Sequence, residues 1–200
     1  MLSAPMKRTV CLMTLLCATA AQAKPAPPAG PVRFQEPSFS ATFPAQPKRT
    51  TAVEKDMIRG AEPMEVHSFD AGANGVVAQV RYFDMPGLWN NADAFKNSQN
   101  LLKFGLRMQL LQLCTAAMQQ LGGSLESTEK IALGDAFGMS FGGPLEQQLN
   151  GQATNAHGRV YFRGERIFVV TVIHTADVKG ASAAAAFLES FAFAPPATKK

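Results

Sequence analysis

Residues 167–173 read Ile-Phe-Val-Val-Thr-Val-Ile, apolar at nearly every position. A strand with one wet face alternates apolar and polar, whereas an unbroken run of β-branched and aromatic side chains fits a strand covered on both faces. The chain therefore has to build a sheet with this strand in its interior and cover on either side. Its neighbour is close at hand. Residues 159–162 precede Arg163-Gly164-Glu165-Arg166, and Gly164 suits the first central position of a two-residue type II′ turn. The spacing predicts a hairpin in which residues 157 and 172 face each other.

The same reading extends upstream. Residues 38–43 place Phe39, Ala41 and Phe43 on one side of a half-buried strand that ends at Pro44. Further strands are expected at residues 50–59, mostly polar and so at an edge, at 64–70, and at 76–83, the last two joined by the glycine-bearing stretch 71–75. From Asn91, an N-cap type, to Leu121 the pattern turns helical, with Gly122-Gly123 as the stop. Phe104, Met108, Leu111, Met118 and Leu121 form the stripe expected to face the sheet, with Leu102, Leu106 and Leu113 beside it. The opposite row carries Lys103 and Arg107 but runs on into Leu110 and Cys114, so the middle of the helix is apolar nearly all round. Gly105 is a weak point at which two shorter helices are the alternative. Short strands are expected at 124–133 and 137–141, a loop at 142–151, a short helix at 181–190, and a closing apolar stretch at 191–193. The expected fold is α+β, one antiparallel sheet packed against one long and one short helix.

The N-terminus has the three parts of an export signal. Lys7 and Arg8 precede a mostly apolar run at residues 10–21, and Ala21-Gln22-Ala23 offers small residues for cleavage after Ala23. The run is too short for the roughly 20 residues of a membrane-spanning helix. A lipid anchor on Cys17 is the competing reading, disfavoured by Leu16 before it, where a small residue is called for. Cleavage removes Cys11 and Cys17, leaving Cys114 with no internal disulfide partner, and takes away half of the formal charge of +4. Little basicity remains to hold nucleic acid. Residues 24–31 contain four prolines and read as a tether, residues 32–193 as a single domain, and residues 194–200 as a tail. The expected location is the periplasm or outside the cell.

Taken together, the strand from Phe39 to Pro44, Asp84-Met85-Pro86, Leu121-Gly122-Gly123, the glycine hairpin at 159–172 and Phe187-Leu188-Glu189-Ser190-Phe191 resemble a family of exported bacterial domains with the PsbP-like fold. Phe137-Gly138-Met139 departs from that pattern, which is more charged there. The resemblance implies a PsbP-like α/β sandwich with a binding or accessory role and no shared catalytic set; a fold does not by itself establish a function.

Chemistry-bearing residues are few. The hairpin register puts His157 diagonal to His174 on one sheet face, within mutual reach. Imidazoles suit zinc or copper, and His67 is the remaining candidate ligand. Against a metal site stands the lack of any Asp, Glu or Cys at ligand spacing. Gly138-Met139-Ser140-Phe141-Gly142 is no nucleophile elbow, since it lies in a strand-like setting without a following helix. Cys114 on an apolar helix reads as a small core residue rather than a nucleophile or a dimer-forming thiol, and Glu126 and Glu129 as solvated. Met85, Leu88 and Trp89, just before the long helix, are the candidate partner anchor, with Trp89 folded back onto the core as the competing role.

The function expected from the sequence is a periplasmic, non-catalytic binding or accessory protein that uses an apolar surface or groove and needs no cofactor. Its partner is an envelope protein or a small apolar ligand, and a homodimer is compatible with the apolar helix. The alternative is an envelope hydrolase or metal-binding protein built on the His157/His174 face.

Overall fold

The computed structural model describes residues 30–55, 63–85 and 101–195, with backbone alone for residues 55, 101–104 and 106. The export signal, Leu88, Trp89, the Asn91 cap and most of the tether and tail lie outside the described residues.

Two antiparallel sheets account for most of the structure. The larger has seven strands: β3 (Lys48–Lys55), β4 (Pro63–Ala73), β5 (Val76–Asp84), β6 (Ser127–Leu133), β7 (Ala136–Leu149), β8 (Gln152–Arg163) and β9 (Arg166–Thr175), in the spatial order β3-β4-β5-β9-β8-β7-β6. The apolar run of residues 167–173 lies in β9, the central strand. Gly164 takes φ of 60° in the β8–β9 turn, Arg163 pairs with Arg166, and His157 faces Val172, as the type II′ reading requires. The smaller sheet joins β1 (Val32–Gln35), β2 (Phe39–Phe43) and β10 (Ala192–Phe193) in the order β1-β2-β10.

Each face of the large sheet carries its own core. On one, Val80, Tyr82, Phe168 and Val170 meet Phe39 and Phe43 of β2 and Phe187 and Leu188 of helix α2 (Val178–Ser190). Phe39 is fully buried, its ring centroid 5.3–6.4 Å from those of Phe34, Phe69, Tyr82, Phe168 and Phe191. On the other, Val66, Phe83, Val160, Phe162 and Ile167 meet helix α1 (Leu101–Gln120).

The expected α+β fold, a PsbP-like sandwich of one sheet with one long and one short helix, is overturned. Ten strands in two antiparallel sheets make the described residues predominantly β, and the two helices are covers over a β framework. The difference arises in three places. Residues 142–151, expected as a loop, are the far end of β7 and a tight hairpin: Asn150 and Gly151 both take positive φ, 53° and 74°, the type I′ geometry for which Asn-Gly is suited. Gly142-Gly143-Pro144 hides the alternation, and a bulge between Leu145 and Gln148 breaks its phase. Asn74-Gly75 does the same between β4 and β5, extending both strands beyond expectation. The third place is the second sheet, whose β1 and β10 are too short to announce themselves by periodicity.

Helix α1 is turned partway from the expected stripe, of which Met118 is buried and Leu111 and Leu121 pack against the core. Leu110, Leu113, Cys114 and Met118 are buried, while Met108 of the expected stripe is 42% exposed. A helix apolar nearly all round has no unique inner face by pattern, so packing against β7 and β8 decides it. No helix among the described residues is long and apolar enough to cross a membrane.

Candidate functional site

Helix α2 begins at an Asp177 cap: the Gly180 N–H donates to Asp177 Oδ1 at 2.6 Å and the Thr175 hydroxyl to Oδ2 at 3.1 Å. These contacts, the Gly180 N–H foremost, hold the Asp177 carboxyl below its ordinary range. The far end is fastened by Ser190, which accepts from the Thr42 N–H at 2.8 Å and donates to the Phe187 carbonyl at 2.7 Å. Phe187-x-x-Ser190-Phe191 thus becomes a physical device: two aromatic anchors in the core and a hydroxyl tying helix to strand.

Between these fastenings alanine fills five of the six positions from 181 to 186, good for helix and too small to fill space. Ala184 packs inward at 1% exposure. Ala183 and Ala186 instead leave a cleft of about 250 Å³ between α2, the end of β2 and the β4–β5 turn. Its walls are mainly apolar, with Pro31, Pro44, Val76 and Phe187 among them, and Thr42, Asn74 and Lys179 as the polar contributors. Lys179 is exposed, and among the described residues its ammonium takes part in none of the ion pairs.

A second cleft, larger and more open, lies at the β8–β9 turn beside Arg163 and Arg166. Both guanidinium groups are already engaged. Arg163 donates to Asp135 at 2.9 Å and lies 4.9 Å over Phe193; Arg166 grips both Asp84 oxygens at 2.6 and 2.7 Å and lies 4.6 Å over Tyr82. They tie the end of the sheet together.

The histidine face is assembled in part. His157 Nδ1 lies 3.0 Å from His174 Nε2, and His174 Nδ1 lies 2.8 Å from the Thr175 carbonyl. A carbonyl only accepts, so His174 carries its proton on Nδ1. Its Nε2 then accepts from His157 Nδ1–H, leaving His157 Nε2 as the open nitrogen of the pair. Burial, with the His174 ring second, pushes the His157 pKa below 6.5. A metal held between the facing nitrogens at about 2.0–2.1 Å from each has to displace this hydrogen bond. His67 does not join them. It sits on β4, two strands from β8's neighbour β9 by way of β5, with its ring 4.7 Å from Tyr82 and Nδ1 3.2 Å from the Thr51 hydroxyl. Among the described residues no three His, Cys, Asp or Glu side chains are grouped to hold a metal ion.

The remaining candidates fall into structural places. Met85 is 2% exposed in the core beneath α1, and its N–H donates to the Glu165 carbonyl at 2.7 Å. Ser140 lies on β7, its hydroxyl 3.4 Å from the Glu129 carbonyl. Glu126 and Glu129 are exposed. Cys114 is fully buried, and desolvation pushes its thiol up to about 12. The cleft residues Lys179, Ala183, Ala186 and Asn74 were not singled out by the sequence. Their available signals were Asn-Gly at 74–75 and an alanine run after a helix-capping aspartate.

No family model and no curated protein sequence matches the chain. Among solved structures it is similar to a protein of Bacteroides thetaiotaomicron VPI-5482 whose crystal structure was determined at 1.50 Å. The likeness has 14% identity and a TM-score of 0.41, covering 86% of this chain and 51% of that one, so this chain spans about half the length of that protein.

Proposed function

We propose that this protein is exported and acts as a non-catalytic binding domain, taking a small apolar ligand in the cleft between α2 and β2. The observation that carries the reading is the cleft itself: space left by Ala183 and Ala186, apolar walls, and few polar groups, the composition expected of a small-molecule site. At about 250 Å³ it is smaller than most drug-sized sites, which favours a compact ligand or one terminal chain of a larger one. Export rests on residues 1–23, whose positive start, apolar run and Ala-Gln-Ala stretch follow the order of an export signal. The hydrolase alternative has less support, since neither Ser140 nor Cys114 is placed as an activated nucleophile.

The test is titration with the neutral apolar fluorophore N-phenyl-1-naphthylamine. Wild type is expected to enhance its emission saturably, and Ala186→Trp, which fills the cleft from a position already facing it, to abolish the enhancement without lowering the melting temperature. Equal enhancement by a well-folded Ala186→Trp protein would remove the cleft as the site.

A further inference from the structure

Resting on the reading of this cleft as a ligand site, we propose that its ligand is an apolar chain ending in a carboxylate, with the charged end at Lys179. Three observations converge on that class. The first is shape and size. The cleft of about 250 Å³ suits a short chain, and Val76, Ala183, Ala186 and Phe187 offer such a chain nothing to hydrogen-bond with their side chains.

The second is charge. Among the described residues Lys179 is the one ionisable residue on the walls of this cleft, and it lies in the first turn of α2, where the helix dipole adds to its positive field. The nearby anion, Asp177, feels the Lys179 charge but makes no direct ion-pair contact with it, and its oxygens already accept from Gly180 N–H and the Thr175 hydroxyl. The ammonium is therefore positioned to receive an anion from the ligand while its methylene stem lies along apolar surface. The third is contrast. The arginines at the other cleft are each paired with a carboxylate of the chain itself, so that cleft offers no comparable unpaired cation. An amine-ended chain meets repulsion at Lys179, and an alcohol of equal length gains the apolar contacts without the charge.

The experiment uses the mature protein with methyl-labelled alanine and valine, titrated in parallel with octanoate, 1-octanol and octylammonium at low ionic strength and followed by methyl NMR. The expected result is saturable movement of the Ala183, Ala186 and Val76 methyl signals. Octanoate is expected to bind roughly fivefold tighter than octanol, the span of an exposed ion pair, with octylammonium weakest. Added salt should erase the octanoate advantage, and Lys179→Glu should invert the order. Octanol binding as tightly as octanoate, or an order unchanged in Lys179→Glu, overturns the carboxylate assignment while leaving the cleft as an apolar site. No movement of these methyls with any of the three ligands overturns the reading of the cleft itself.

Discussion

His157 donates its Nδ1 proton to His174 Nε2 across 3.0 Å, and His174 in turn donates to the Thr175 carbonyl across 2.8 Å. The chain of bonds fixes both tautomers and ends on the residue that holds α2, because Thr175 also donates its hydroxyl to the Asp177 cap. His174 is 1% exposed, so this network satisfies a polar side chain that burial alone would penalise.

The pH dependence follows from His157. Its folded pKa lies below the unfolded 6.5, first because burial disfavours the cation and then because of the His174 ring. Above about pH 6.5 the group is neutral in both states and contributes nothing. As pH falls below that value the unfolded chain takes up the proton first, so stability declines until the folded value is passed, where the loss is complete. Melting curves between pH 7.5 and 5 should show wild type losing more than His157→Gln; parallel losses would show that His157 titrates alike in both states.

Gly142 faces His157 across the β7–β8 pair, and a Cβ there would lie 2.5 Å from His157 Cδ2 and 3.1 Å from Nε2. Gly142→Ala should therefore push the imidazole aside and break its bond to His174. The expected cost is about 1–3 kcal/mol, typical of overpacking, read by urea denaturation, with movement of both histidine ring signals in NMR. Unmoved ring signals would mean that the backbone yields instead.

Phe39 joins the two sheets through contacts with five aromatic rings. Phe39→Ala should cost about 3–5 kcal/mol, a large share of the roughly 5–15 kcal/mol that holds a domain together. The equilibrium unfolding midpoint should drop accordingly. A drop under about 1 kcal/mol would show that the small sheet is not part of the cooperative core.

Cys114 should be silent in the native protein. With full burial and a thiol pushed up to about 12, it should not react with Ellman's reagent at pH 8 until denaturant is added, and no disulfide-linked dimer should form. Prompt labelling of the native protein would show that α1 opens readily.

What the sequence determined by itself were features with a local cause. The two-faced apolar run of residues 167–173 required a central strand, Gly164 set the β8–β9 register, and that register brought His157 beside His174, because strand periodicity and turn geometry are properties of a few neighbouring residues. Tertiary structure alone decided the rest. The sheet's extent was hidden where Gly142-Gly143-Pro144 interrupts the alternation. The inward face of α1 was undetermined because Leu110, Leu111, Leu113 and Cys114 offer apolar surface all round. Met85 was sorted into the core and His67 away from the other histidines by strand order, a relation among segments distant in sequence. The cleft is the extreme case. Its walls come from residue 31 to residue 187 and are defined by what Ala183 and Ala186 leave unfilled, a property that exists only once helix and strands are packed together.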